Sequence, residues 1–205
     1  MTKQELQAYG PAVSAFLAEE RLMPVGPGKP NEAMRAKLET MTAEDLFAGQ
    51  AIRDQDMARA CLAGIWLYHD FLDESHTISQ AIASPSGSYW HGILHRREPD
   101  FDNARYWFKR VGRHPIFDPL VQAARALAQV EKPPASTGFL TDQAAWDPFA
   151  FVDLCEKCLA GTTPGARLCQ QIQQREWELL FEHCYRQALL SSGVSITDVR
   201  FRTES

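Results

Sequence analysis

The chain has 205 residues, enough for one domain with a sizeable core, and its 45% hydrophobic and 23% charged content is that of an ordinary globule. A net charge of −5 gives no reason to expect nucleic acid as a partner, and no apolar run is long enough to span a bilayer. Met1 to Glu20 has no uninterrupted apolar core of an export signal, and five cysteines are an odd number, so reduced thiols in a cytoplasmic protein are expected rather than a disulfide framework.

In chain order, residues 3–20 read as a short amphipathic helix interrupted by Gly10-Pro11. The run Pro24 to Pro30 is a stiff linker, because its prolines and glycines deny it regular hydrogen bonding. Asn31 is placed to cap a helix over 32–39, and Thr42-Ala-Glu-Asp45 has the pattern of a capping box for a short helix ending at Gly49. Asp54 or Asp56 then caps a long central helix that runs to about Ala83. Its part from Cys61 to Leu72 is apolar nearly all round, which marks a helix packed by several neighbours.

Ser84-Pro-Ser-Gly-Ser88 stops that helix and starts the next. Glu98-Pro99-Asp100 breaks the chain again, before helices over 101–111 and 120–131. A loop runs from Pro133-Pro134 through Gly138. Asp147-Pro148 opens a helix to Leu159, and a long helix covers 166–190, ended by Ser191-Ser-Gly193. A polar tail follows from about residue 194. No strand-like alternation extends beyond a few residues, so the expected fold is all-α: one domain of about eight helices around the 56–83 helix.

The candidate chemistry lies in the hairpin from Cys61 to Glu98. His69, Asp73, His76 and Gln80 have i, i+4, i+7, i+11 spacing, which puts them on one helical face. His91, His95 and Glu98 repeat i, i+4, i+7 beyond the turn. His76 lies nine residues before Pro85, and His91 and His95 six and ten after it, so an antiparallel hairpin holds them at similar height. His69, Asp73, His76, His91 and His95 are therefore the candidate ligands of a divalent metal, although neither HExxH nor Glu-x-x-His occurs. If the protein is an enzyme, a hydrolytic or acid–base reaction is expected, with His69, Asp73 and His76 as the catalytic candidates.

A small polar or anionic ligand is the second expectation. Arg97 and Arg105 would grip its charge, with Tyr106 and Trp90 as walls. The competing interpretation is a helical interaction module whose histidines form a hydrogen-bonded core network. Cys155-Glu-Lys-Cys158 sits too far inside its helix for dipole-activated thiolate chemistry and lacks a second tight pair for zinc, so its thiols are expected to fill helix interfaces.

Tyr68 to His76, Tyr89-Trp-His-Gly-Ile-Leu-His-Arg-Arg-Glu-Pro-Asp100 and Ala104-Arg-Tyr-Trp-Phe108 together resemble a segment shared by a family of uncharacterised bacterial and fungal helical proteins. The resemblance covers about a quarter of the chain. It implies no activity and carries no catalytic residue across.

Overall fold

The computed structural model describes residues 3–131 and 137–190. The expected loop over 133–138 falls largely outside these residues, and the expected end of the last helix at 191–193 and the polar tail fall wholly outside them. Among the described residues every regular element is helical: α1 (Lys3–Ala8), α2 (Gly10–Leu17), α3 (Glu32–Glu39), α4 (Ala43–Leu46), α5 (Gln55–Tyr68), α6 (Leu72–Ser79), α7 (Pro85–Arg97), α8 (Phe101–Val111), α9 (Phe117–Glu131), α10 (Phe139–Asp142), α11 (Pro148–Leu159) and α12 (Ala166–Leu189). No helix among them is long and apolar enough to cross a membrane. Among the described residues twelve helices stand where about eight are expected: Gly10-Pro11 splits the first, residues 139–142 add one turn, and the central helix breaks.

Local chemistry sets most boundaries. Thr42 and Asp45 form the reciprocal capping box, Asp54 accepts from the Met57 N–H, and Asp147 accepts from the Phe149 and Ala150 N–H groups. Asn31 precedes α3 as expected, but its side chain makes no cap and turns instead to His69.

The expected continuous helix over 56–83 is corrected. It ends at Tyr68 and restarts at Leu72, with Asp70 between them at φ +64°, in the left-handed region. An aspartate enters that region at lower cost than most residues. Here its carboxylate is also held from outside the segment: Asp70 is buried, pairs with Arg97, and lies 2.8 Å from Arg21 Nη2. A distant ion pair thus overrides the local helical pattern, and α6 leaves at a new rotation.

Helices α5, α7 and α12 meet at the centre. Trp66, Leu67, Tyr89, Trp90, Trp177 and Phe181 are all buried there. Trp177 stacks on Phe181 with ring centroids 5.0 Å apart and donates its indole N–H to the Gly64 carbonyl at 2.8 Å. Gly64 also admits the Trp90 ring: a Cβ at that position would stand 2.9 Å from it. Arg96 is fully buried beside α12, where Glu176 takes its guanidinium at 2.5 Å and the Tyr89 hydroxyl at 3.0 Å.

The turn before α7 is equally tight. Ser84 caps the helix through the Gly87 N–H at 3.1 Å, and a Cβ on Gly87 would lie 2.3 Å from the Ile82 carbonyl oxygen. That contact is with backbone and cannot be relieved by a rotamer change. Gly87→Ala is therefore expected to destabilise the fold by about 2 kcal/mol despite alanine's better helix propensity. Urea unfolding measures this, and a midpoint at or above the parent's would contradict the packing described.

Candidate metal centre

Three of the five candidate ligands come together. His76 from α6 meets His91 and His95 from α7, and each offers a ring nitrogen within 4.8 Å of the others. The ring centroids of His76 lie 4.5 Å from those of His91 and 5.2 Å from those of His95. His91 and His95, one turn apart, are stacked at 4.7 Å. The i, i+4 spacing on α7 and the antiparallel return of α6 produce this arrangement, as the register of the hairpin predicts.

The surroundings orient the rings. Glu98 Oε2 lies 2.9 Å from His95 Nδ1, with Asp100 farther off at 3.8 Å. A carboxylate at that nitrogen holds the proton on Nδ1 and leaves the Nε2 lone pair for a ligand. Nε2 now accepts from the Asn103 amide at 3.1 Å, which fits the same tautomer. Trp107 of α8 stacks flat on His91, with centroids 3.8 Å apart and an interplanar angle of 16°. His91 Nδ1 is buried and has no hydrogen-bond partner. Burial, followed by the neighbouring His95 and His76, pushes the His91 imidazole down to about 3. At neutral pH this ring is uncharged, the form that binds a metal.

His69 and Asp73 stand apart from the three, contrary to the expectation that they share one helical face with His76 and join His91 and His95 at one site. The break at Asp70 is the reason. His69 is the residue that ends α5; its Nε2 donates to the Phe16 carbonyl at 2.9 Å and its Nδ1 accepts from the Asn31 amide at 3.2 Å, so both ring nitrogens are engaged. Asp73, in the first turn of α6, is exposed, while Asp70 occupies the buried position.

The anion-binding set is likewise dispersed. Arg97 is fully buried, and its guanidinium donates to the carbonyls of Gly26, Leu67 and Pro27, to Met23 Sδ and to Asp70. Arg105 pairs with Asp102, Asp153 and Glu156. Trp90 is wholly interior, and Tyr106 lies on the surface at 53% exposure. These four neither surround one space nor offer a free guanidinium face. The open cleft beside Glu98, about 300 Å³, is lined by Asp70, Asp73, Glu74 and Glu98 against the single cation Arg35, a setting that disfavours an anion.

Serine chemistry finds no support at the Ser86–His114 pair. Ser86 Oγ is 3.1 Å from His114 Nε2, but His114 Nδ1 accepts from the Ile116 N–H at 3.4 Å. The proton therefore sits on Nε2 and is donated to the serine, the reverse of what a general base requires. Asn103 and Asp70 are the site-defining residues that spacing alone does not single out.

Burial also sets an acid sensitivity away from the triad. His69, His114 and His183 are all lowered from 6.5, chiefly by burial, His114 to about 3. A lowered imidazole favours the fold fully above pH 6.5 and loses that contribution as pH falls, because the unfolded chain takes up the proton first. For His114 alone, going from pH 7 to pH 5 should remove about 1–2 kcal/mol. Urea midpoints of the metal-free protein should accordingly fall over a range where free carboxylates do not titrate. Equal midpoints at the two pH values would contradict it.

Comparison of the chain with protein-family models, with curated proteins and with solved structures finds no match in any of the three.

Proposed function

We propose that the protein binds one divalent transition-metal ion through His76, His91 and His95. The observation that carries this reading is the convergence of three ring nitrogens from two helices, with a buried nitrogen that has no hydrogen-bond partner on His91, one of the three rings. Neutral imidazoles suit zinc and its neighbours, and the carboxylate behind His95 is the outer support that metal-ligating histidines commonly have. The rings need to close by about an ångström for Zn–N bonds of about 2.1 Å, a small adjustment of side chains. The acidic cleft beside Glu98 favours delivery of a cation.

Three protein ligands leave a coordination position for an exogenous molecule, toward which a divalent ion acts as a Lewis acid. A hydrolytic reaction on a small polar substrate is the activity we propose for the loaded site. Among this chain's residues, Glu98 keeps the His95 proton on Nδ1 and Trp107 shields His91 from water. Arg96, Arg97 and Arg105, each paired with acids, hold the fold rather than a substrate.

Untagged protein, stripped with chelator and titrated with Co²⁺ and Zn²⁺, tests the binding. One equivalent should bind, with visible cobalt absorption and a change in Trp107 emission. Less than about a tenth of an equivalent, or binding unaltered in His91→Ala, would leave the three histidines as a packing network.

A further inference from the structure

The five cysteines form two groups. Cys61 and Cys184 are fully enclosed in the core. Cys155 and Cys158 of α11 lie against Cys169 of α12: Cys158 Sγ is 3.7 Å from Cys169 Sγ, and the buried Cys155 thiol is a further neighbour of Cys169. Only Cys158 of the three is partly open to solvent, near the C-terminal end of α11. Cys169 follows in the first turns of α12, and the link between the helices is an exposed turn containing Gly161 and Gly165, both at positive φ.

We propose that Cys158 and Cys169 are a redox-active pair, closed to a disulfide by a hydroperoxide and reopened by a thiol reductant. The sulfurs already touch, so the bond requires them to approach from 3.7 Å to about 2.05 Å. The exposed turn between the helices can accommodate that movement. In the first step the Cys158 thiolate attacks one peroxide oxygen. The S–O bond forms, the O–O bond breaks, and hydroxide leaves and is protonated to water. In the second step Cys169 sulfur attacks the sulfenic sulfur of Cys158. The S–S bond forms, and the sulfenic oxygen leaves as water with the Cys169 proton. The two thiols together lose two electrons and the peroxide gains them.

Cys169 has two sulfur neighbours, and accessibility chooses between them: an oxidant reaches Cys158, whereas Cys155 is buried. The disulfide would tie the end of α11 to the start of α12, a change independent of the histidine site. Burial raises the Cys158 thiol, so the reaction runs more slowly than at a cysteine activated by a positive charge.

Trypsin separates the alternatives, because Lys157 and Arg167 place the three cysteines on three different peptides. Chelator-treated full-length protein is exposed to hydrogen peroxide and mapped by mass spectrometry without reduction. The expected product is the 158–167 peptide joined to the 168–175 peptide, about 2 Da lighter than their sum, with two of the five thiols lost to titration and recovered by dithiothreitol. Cys158→Ser should fold, lose the linked peptide and leave Cys169 as a free thiol. A Cys155–Cys169 link, sulfinic acid without a disulfide, or all thiols intact where the urea-unfolded chain oxidises would each overturn the assignment.

Discussion

His91→Ala should abolish measurable binding of Zn²⁺ or Co²⁺, and Glu98→Gln should weaken it by about 10- to 100-fold while leaving the stoichiometry at one. The two differ because they act at different distances from the ion. His91 supplies one of the three ring nitrogens, so its loss removes a bond to the ion that the rest of the site cannot replace. Glu98 acts through His95: the carboxylate 2.9 Å from Nδ1 fixes which ring nitrogen carries the proton. Glutamine can still accept there, but without charge it holds the Nδ1 proton in place less firmly. Isothermal titration at pH 7.5 separates the outcomes. Equal affinities for the parent and Glu98→Gln would show that His95 is oriented by packing alone, and retained binding in His91→Ala would move the ion elsewhere.

Asp70→Asn should destabilise the fold by about 3–5 kcal/mol, the cost of leaving a buried guanidinium without its counter-charge. Asparagine accepts the left-handed backbone at this position, so the substitution removes charge without adding backbone strain. What remains is Arg97, fully buried and still bound to three carbonyls, and Arg21, whose Nη2 loses its carboxylate. Gly28 packs against the Asp70 side chain: a Cβ there would stand 2.7 Å from the carboxylate oxygen. The double variant Asp70→Asn with Arg97→Met should recover part of the loss, because the unpaired charge is then gone. Denaturant unfolding measures both. A loss under about 1 kcal/mol for Asp70→Asn would mean that the carbonyl cage alone satisfies the arginine.

Much of this architecture is legible in the sequence because its signals are local. Thr42, Asp54, Ser84 and Asp147 all act as the caps their surroundings indicate, and the Ser-Pro-Ser-Gly turn sets the height at which His76 meets His91 and His95. The break at Asp70 is not legible. The stretch Tyr68 to Leu72 has neither proline nor glycine, and its apolar residues continue a helical pattern. It breaks because Arg97, 27 residues later, and Arg21, 49 residues earlier, take the aspartate inward. That rotation moves Asp73 outward and leaves His69 to Phe16 and Asn31. Arginine content near the hairpin suggests an anion site for a related reason: the partners Asp70, Glu176, Asp153 and Glu156 are distant in sequence, and pairing over such separations follows no local spacing rule.

The last helix fills the middle of the protein, and this has a bearing on biosynthesis. Gly64 receives its partner from Trp177, the Tyr9 carbonyl and the Gln50 amide both meet Tyr185, and the Arg53 and Asp54 N–H groups end on Ala188. A nascent chain that has reached only residue 165 on the ribosome therefore has its early helices ready but nothing to close them upon. Chaperones that shield greasy surfaces should engage it until those final turns emerge.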